Sequence, residues 1–581
     1  MSINNILISP PAQPCNPTNT QRYIMAKYAL MERGRPEDIN NIFQLMSPPA
    51  SIASISAPGQ CKNIKVAIIG AGLAGLSAAF ELRRAGFDIT IFEAEESRVG
   101  GRVYTYYFDK SKELYGELGA MRIPVTHETV WHYINLFRLE TRPFVQNNPN
   151  AFIYLRDTRV RNDPLGRNVM EYIYPKYCLN EWERNTPWQR LYYYALERPL
   201  LCASPEERRE LLEVKPFYNK YIVYWDFLEI RKIMEEAGLT NAAISMLSGL
   251  SPLVGSNLYN SYIDIAQANY PANLSFLYEI PGGASRLTDA FRDSLSDVNA
   301  AKHYPGISIA DLGKVVWKMG SPVTGIYSEG DKVRLSYLDR KTASTYQCRF
   351  DYVVCAIPFS SLRTVHIEPL FSGLKMQAVK EVNYIDSMKC IMLCRKRFWE
   401  QGEPGRRITG GGSYTDLPIQ TVWYPLGSSN CCPNNYSPAE EPGVLLASYN
   451  YNLDSVRLGN LPENLRFNEI KHEVERVHGL PQGYLDDIVI ESKTIDWSRN
   501  PWTRGALCFF SPQQKRIFSY AMALPEYNGR VCFAGDHISA VHRWIQGALQ
   551  SGMKAANDIA YAACGEKYLS QALKFEKTQA N

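Results

Sequence analysis

Lys65-Val66-Ala67-Ile68-Ile69-Gly70-Ala71-Gly72-Leu73-Ala74-Gly75-Leu76-Ser77-Ala78-Ala79-Phe80-Glu81-Leu82 is the stretch on which the fold turns. The apolar run 65–69 predicts a short buried strand, and the residues from Leu73 onward predict a helix, so strand, glycine turn and helix come in the order a dinucleotide-binding turn requires. Gly70 permits the tight turn, Gly72 lets the backbone approach a pyrophosphate, and Gly75 lets helix and strand pack closely. The diphosphate then rests on the positive helix N-terminus, beside Leu73 and Ala74. A second strand, Asp88 to Phe92, ends in Glu93-Ala94. Glu93 stands roughly 20 residues after the glycines, where an acid reads a ribose hydroxyl in such folds.

Further along, Tyr352-Val353-Val354-Cys355-Ala356-Ile357-Pro358 and Val531-Cys532-Phe533-Ala534-Gly535-Asp536 repeat the short, fully apolar signature of a buried parallel sheet. The nucleotide domain is therefore expected to be discontinuous, its strands drawn from distant parts of the chain. A hairpin-like segment runs from Val323 to Tyr337, and Trp544 to Ala556 reads as a helix. Alternating strands such as Met388 to Leu393 and Gly443 to Tyr451 suggest a mixed sheet between 384 and 510. Residues 161–262 change to an aromatic, helical character. There Asp226 is read as an N-cap, Phe227, Ile230, Met234 and Ala237 follow at helical spacing, and Gly238 is read as a stop. Residues 22–60 hold a short helical stretch and a loop-like Ser47-Pro48-Pro49-Ala50-Ser51, an arm that either wraps the body or reaches a second subunit.

Composition narrows the class. With 581 residues, 45% apolar and 21% charged, the chain is globular and long enough for several domains. A formal charge of +4 and isolated basic pairs such as Arg208-Arg209 and Arg406-Arg407 give no nucleic-acid footprint. Thirteen cysteines include no C-x-x-C, and Cys431-Cys432 are neighbours, so no metal site and no disulfide framework is expected. No signal segment and no apolar run of ~18–20 residues is visible, so a soluble, cytoplasmic protein without membrane partners is expected, with non-classical secretion left open.

Four more blocks complete the pattern: Arg98-Val99-Gly100-Gly101-Arg102, Gly116-Glu117-Leu118-Gly119-Ala120-Met121-Arg122-Ile123-Pro124, Phe533-Ala534-Gly535-Asp536 and Trp544-Ile545-Gln546-Gly547-Ala548. Together they resemble the flavin monoamine oxidase superfamily, and most closely its L-amino acid oxidases, over roughly residues 62–560. The resemblance implies an α/β fold with a discontinuous Rossmann-like, glutathione-reductase-type FAD-binding domain (62–97, 286–383 and 525–565). It further implies a mixed-sheet substrate domain (98–160, 263–285 and 384–524), a helical domain (161–262), an N-terminal arm (1–61) and a tail (566–581).

The residues that would hold non-covalent FAD are Gly70, Gly72, Leu73, Ala74, Gly75, Glu93, Ala94, Gly101, Arg102, Gly119, Ala120, Met121, Arg122, Val323, Gly535, Asp536, Trp544, Ile545 and Ala548. Arg102 follows two glycines, so its guanidinium can reach the cofactor phosphates. Arg122 lies in an apolar segment, where an unpaired guanidinium is costly and a partner is expected. In the oxidases that partner is the substrate α-carboxylate; an internal ion pair with Glu117 is the plain alternative. Lys389, in Asp386-Ser387-Met388-Lys389-Cys390, matches the superfamily lysine that holds a water beside flavin N5, the alternative being an exposed edge strand. Tyr449 matches a second carboxylate ligand, and Tyr451 shares its face by strand periodicity. Packing in the core is the alternative for both. Trp497 and Trp544 match aromatic walls of the substrate site, and Val323 the adenine region.

Two departures from the family stand out. Arg543 occupies a position where many relatives have Gly; its backbone carbonyl could still accept the substrate ammonium. Ala506 stands where covalent relatives have Cys, with Cys508 two places along. The implied reaction is oxidative deamination of an L-amino acid by hydride transfer from Cα to flavin N5, with dioxygen as acceptor, giving a 2-oxo acid, ammonia and hydrogen peroxide. An L-amino acid 2-monooxygenase, a polyamine or monoamine oxidase, and a flavin-bearing protein without turnover are the alternatives. Asp386 and Asp264 are candidates to receive a basic side chain, and a homodimer or larger homo-oligomer is expected.

Overall fold

The computed structural model describes residues 9–296, 300, 302–426 and 439–564. Its organising layer is a five-stranded parallel sheet in the order Val315–Lys318, Asp88–Phe92, Lys65–Ile69, Tyr352–Cys355, Val531–Phe533. Strand Lys65–Ile69 is central, with Val66 opposite Ile89 on one side and Tyr352 on the other. All but its first residue are buried, which is why the sequence shows no polar alternation there. Gly70 turns the chain at φ +96°, and a Cβ at Gly75 would lie 2.0 Å from the Gly70 carbonyl oxygen. Helix Leu73–Ala85 can start where it does only because position 75 has no side chain.

That helix packs against the C-terminal helix Ile545–Cys564. A Cβ at Gly552 would sit 2.2 Å from the Ala74 carbonyl oxygen, and Ser77 Oγ donates to the Leu549 carbonyl at 3.2 Å. Segments almost 500 residues apart in the chain thus form one layer, so the discontinuous nucleotide domain read from the sequence is present. A four-stranded sheet, Ser344–Phe350, Lys332–Asp339, Val323–Glu329 and His366–Glu368, lies beside it.

The second layer is a seven-stranded mixed sheet in the order Val489–Asp496, Ser387–Cys394, Gly443–Tyr451, Thr421–Trp423, Gly412–Thr415, Phe152–Leu155, Thr158–Arg161. Pairing is antiparallel except between Gly412–Thr415 and Phe152–Leu155. Strand alternation divides Ser387–Cys394 between two cores. Met388, Cys390, Met392 and Cys394 pack with Ile470, Val474 and Val477 of helix Glu463–His478. Ile391 and Leu393 pack with Leu118 and Met121 on the other face. Lys389 belongs to that second face, which positions it over the 117–122 loop.

Residues 161–262 are mainly helical, with segments Trp188–Tyr192, Lys220–Phe227, Ile230–Glu236 and Asn241–Leu250. Asp226 does not cap a helix beginning at Phe227. It lies inside Lys220–Phe227, whose cap is Asn219, and its carboxylate accepts from the Lys515 and Arg516 amides at 3.3 and 3.0 Å. It therefore caps helix Gln514–Ala523, nearly 300 residues away, a partnership that local sequence does not reveal. Gly238 follows Ile230–Glu236 at φ +86°, a helix stop that only glycine accepts without strain.

The N-terminal segment is more regular than the sequence suggests. Helices Asn19–Glu32 and Ile39–Met46 lie on the body of the same chain. Arg22 pairs with Glu128 and lies over Trp131, and the Met46 carbonyl accepts from Gln546 at 2.7 Å. Asp38 is gripped by Arg35 at 3.0 Å and Arg208 at 2.6 Å, with side chains 0%, 1% and 3% exposed respectively. No helix among the described residues is long and apolar enough to cross a membrane. Cys431, Cys432 and the 566–581 tail lie outside the described residues.

Removing one member of a buried charge network leaves the others uncompensated. Asp38→Ala is expected to lower unfolding free energy by about 3–5 kcal/mol, measured by urea denaturation of the purified protein.

Candidate active site

One cavity of about 490 Å³ lies between the parallel sheet and the mixed sheet. At its nucleotide end it is lined by Gly70, Gly72, Leu73 and Ala74 of the glycine turn, by Glu93 and Ala94, by Gly101 and Arg102, and by Val323. Gly72 caps helix Leu73–Ala85 without a side-chain acceptor, so the first-turn amides are left for a ligand. A Cβ at Gly72 would meet only the Gly101 Cα, at 4.0 Å. Glu93 is fixed by the Ala71 amide at 2.8 Å and the Glu95 amide at 2.9 Å, and burial raises its pKa. This end fits a nucleotide diphosphate with its ribose.

The middle of the cavity is lined by Gly119, Ala120, Gly535, Asp536, His537, Ile545 and Ala548. Arg102 pairs with Asp536 and donates to the Ala506 carbonyl at 3.0 Å. Burial would push the Asp536 carboxyl up, but Arg102 overcomes this and holds it below the usual carboxylate range. His537 is buried, with neither ring nitrogen bonded to protein among the described residues, and burial drives its pKa down to about 3. A neutral imidazole and an ionised carboxylate side by side against a cavity suit a hydroxylated, polar ring-bearing ligand. The Cys508 thiol is buried and raised well above its ordinary pKa, so no thiolate is offered nearby.

The far end is lined by Lys389, Tyr449, Trp497, Arg543 and Trp544. Lys389 is not on an exposed edge. Its strand lies between two others, it is 2% exposed, and Nζ donates to the carbonyls of Gly119 at 2.6 Å and Glu117 at 3.3 Å. Burial brings its pKa down to about 7, a shift that Glu117 opposes and the nearby Arg122 reinforces. The indole Nε1 of Trp497 donates to the Leu118 carbonyl at 3.0 Å, so two separate side chains tether the 117–121 loop.

Arg122 does not pair with Glu117. Glu117 instead accepts from Thr105 Oγ1 at 2.9 Å and the Ala284 amide at 2.6 Å, and burial raises it to about 7. The Arg122 guanidinium donates to Gln146 at 2.8 Å and lies over Trp423 at 4.9 Å and Phe144 at 5.7 Å. It has no carboxylate partner at ion-pair distance among the described residues. Tyr449 and Tyr451 do share a face, with ring centroids 4.8 Å apart, and Lys389 Nζ lies 4.3 Å from the Tyr449 ring. Burial and then Tyr449 push the Tyr451 phenol up, while Arg122 and Arg543 both pull it down. Gln146, Tyr414 and Trp423, which surround Arg122, were not foreseeable: each comes from a strand or loop remote in sequence.

Some expected residues do not line the cavity themselves. Gly75 lies in the helix, Met121 is not among the lining residues, and Arg122 and Tyr451 stand beside the lining residues Lys389 and Tyr449. Asp264 and Asp386 also lie off it. Asp264 is fully engaged by Arg543, His542 and the Phe510 amide at 2.7, 2.9 and 2.6 Å, so it has no room for a basic substrate. Arg543 thereby has its side chain in the cavity wall and its guanidinium on Asp264. Among the described residues no cluster of His, Cys, Asp and Glu is placed to hold a metal ion.

The pattern of the family described as flavin containing amine oxidoreductase matches residues 73–560. An L-amino-acid oxidase of Pseudechis australis is 28% identical over 500 residues, covering 86% of this chain and 87% of its own. Another from Notechis scutatus scutatus is 27% identical over 495 residues, 85% and 86% of the two chains. Among solved structures, a putrescine oxidase with bound putrescine superposes with a TM-score of 0.63 at 16% identity, over 85% of this chain and 98% of that one, a likeness of fold. The glycine turn, the two-layer architecture and the match across most of its length place the chain in the flavin-containing amine oxidoreductase family.

Proposed function

We propose that the protein is an FAD-dependent L-amino-acid oxidase. The observation that carries the substrate class is Arg122: a guanidinium without a carboxylate of its own, beside Tyr449, Tyr451 and Lys389. An amine substrate gives such a group nothing to bind, whereas an α-carboxylate satisfies it bidentately. The names of the relatives from Pseudechis australis and Notechis scutatus scutatus support the same class.

When bound, FAD supplies the two-electron acceptor for the Cα–H bond and passes the electrons to dioxygen as hydrogen peroxide. The protein supplies positioning. Arg122 and the Tyr449 hydroxyl anchor the α-carboxylate, and Trp497 and Trp544 confine the rest of the molecule. Lys389 lines the cavity beside Tyr449, at the position matching the superfamily lysine that holds a water near flavin N5. The imino acid released from the site takes up water to give the 2-oxo acid and ammonia. Ala506 and the protonated Cys508 thiol favour dissociable FAD. The same reading implies a homo-oligomer, which light scattering measures directly.

Purified holoenzyme with a panel of L-amino acids is expected to consume dioxygen and form peroxide, ammonia and 2-oxo acid in equal amounts. Carbon dioxide and an amide would instead assign a 2-monooxygenase, and no oxygen uptake with any amino acid would overturn the proposal. Arg122→Ala is expected to keep its flavin spectrum while kcat/KM falls through a raised KM. Loss of a desolvated charge contact of about 2–5 kcal/mol corresponds to roughly thirty-fold to several thousand-fold.

Lys389 also gives a stability signature. Between pH 7 and the ordinary lysine value of about 10.4 the unfolded chain holds the proton and the folded protein does not, so raising the pH favours the folded wild type. Lys389→Met lacks this dependence. The stability difference between the variant and wild type is therefore expected to move in favour of wild type from pH 8 to pH 10 in urea titrations; a pH-independent difference would place the folded lysine near its ordinary pKa.

A further inference from the structure

Arg543 has backbone φ +69°, a left-handed conformation that glycine adopts freely and a long side chain adopts under strain. A bulky residue kept at such a position directs attention to what its side chain does. Arg543 is one of the residues lining the cavity, beside Trp544; its side chain is 8% exposed and its guanidinium is supported by the Phe509 ring at 4.4 Å. Nη1 donates to Asp264 Oδ1 at 2.7 Å and reaches the Cys508 carbonyl at 3.5 Å, and Nη2 donates to the Asp264 carbonyl at 3.0 Å. A guanidinium has five N–H groups. The Nε hydrogen and one on Nη2 take no protein partner among the described residues.

Asp264 offers the cavity nothing comparable. Its two carboxylate oxygens are taken by Arg543, His542 and the Phe510 amide, and it is 1% exposed. The pair therefore keeps donors open and has its carboxylate acceptors taken. Tyr451 lies in the field of both Arg122 and Arg543, so the two guanidiniums flank one side of the site. Resting on the oxidase reading, in which Arg122 takes the α-carboxylate, we propose that Arg543 binds the far end of the substrate side chain. It would select L-amino acids that end in a carbonyl oxygen, as a carboxylate or a carboxamide.

An acceptor-tipped side chain satisfies the open N–H groups. An apolar tip buries them unpaired, and a cationic tip adds repulsion. Were Arg543 only a tie between the Asp264 helix and the Cys508 segment, its loss would lower turnover of every substrate in proportion.

The test compares kcat/KM of the holoenzyme for L-glutamine, L-glutamate, L-methionine and L-lysine. Glutamine or glutamate is expected to exceed methionine at least tenfold, with lysine lowest, and the order of the first two tells amide from acid. Arg543→Gly, which suits the left-handed backbone, is expected to cut the acceptor-to-methionine ratio tenfold or more, and Arg543→Lys to restore part of it. Equal use of methionine and glutamine by wild type, or an unchanged ratio in Arg543→Gly, overturns the proposal. Should that variant fail to retain flavin, binding of glutarate and valerate to wild type, read from flavin absorbance, decides. Glutarate at least tenfold tighter supports Arg543, and equal affinity sinks it. This comparison needs no turnover, so it stands apart from a failure of the oxidase reading itself.

Discussion

The bond from Lys389 Nζ to the Gly119 carbonyl, 2.6 Å long, fastens the mixed sheet to the loop that carries Arg122. On one side of this contact stands a buried strand held by neighbours on both edges; on the other stands a segment with little regular structure of its own. Trp497 adds a second tether through the Leu118 carbonyl. Position 119 has to be glycine for the loop to come this close, because a Cβ there would fall 2.1 Å from the Arg102 carbonyl oxygen. The two ends of the cavity therefore meet in one short loop, whose place is set by a lysine and an indole together with its own amides, which donate to the Tyr104 and Arg102 carbonyls.

Buried charge is distributed unevenly. Where the role is structural, each charge has its opposite: Asp38 between Arg35 and Arg208, Glu128 against Arg22. Arg122 has only an amide and two rings. An incompletely compensated guanidinium is expensive in a folded protein and is retained where a ligand completes it. That contrast is the support for the carboxylate-binding role proposed for Arg122.

What the sequence disclosed follows from the range of the interactions concerned. The turn at Gly70 to Gly75 was legible because its requirements lie within eleven residues: a strand, a left-handed glycine, a missing Cβ and a helix. The shared face of Tyr449 and Tyr451 was legible for the same reason, since the two-residue period of a strand sets it. Partnerships across the chain were not. Asp226 looked like the cap of the helix that follows it and caps one nearly 300 residues away. Asp264 looked open to a basic ligand and is closed by Arg543 and His542. Glu117 looked like a mate for Arg122 and is tied to Thr105 and the Ala284 amide. In each case the residue type was informative about the interaction and silent about the partner.

The close approach at Gly552 bears on how the molecule is made. Strand Lys65–Ile69 leaves the ribosome early, yet the neighbour's outer edge and the helix that covers it are supplied by residues 531–564. Domains generally form as units while the chain is synthesised, and here such closure must wait until nearly all of translation is done. Meanwhile an unfinished β-edge and an apolar helix face stand exposed, the surfaces that chaperones recognise. Capture of the prosthetic group is correspondingly a late event in biogenesis, coupled to the arrival of the last helix.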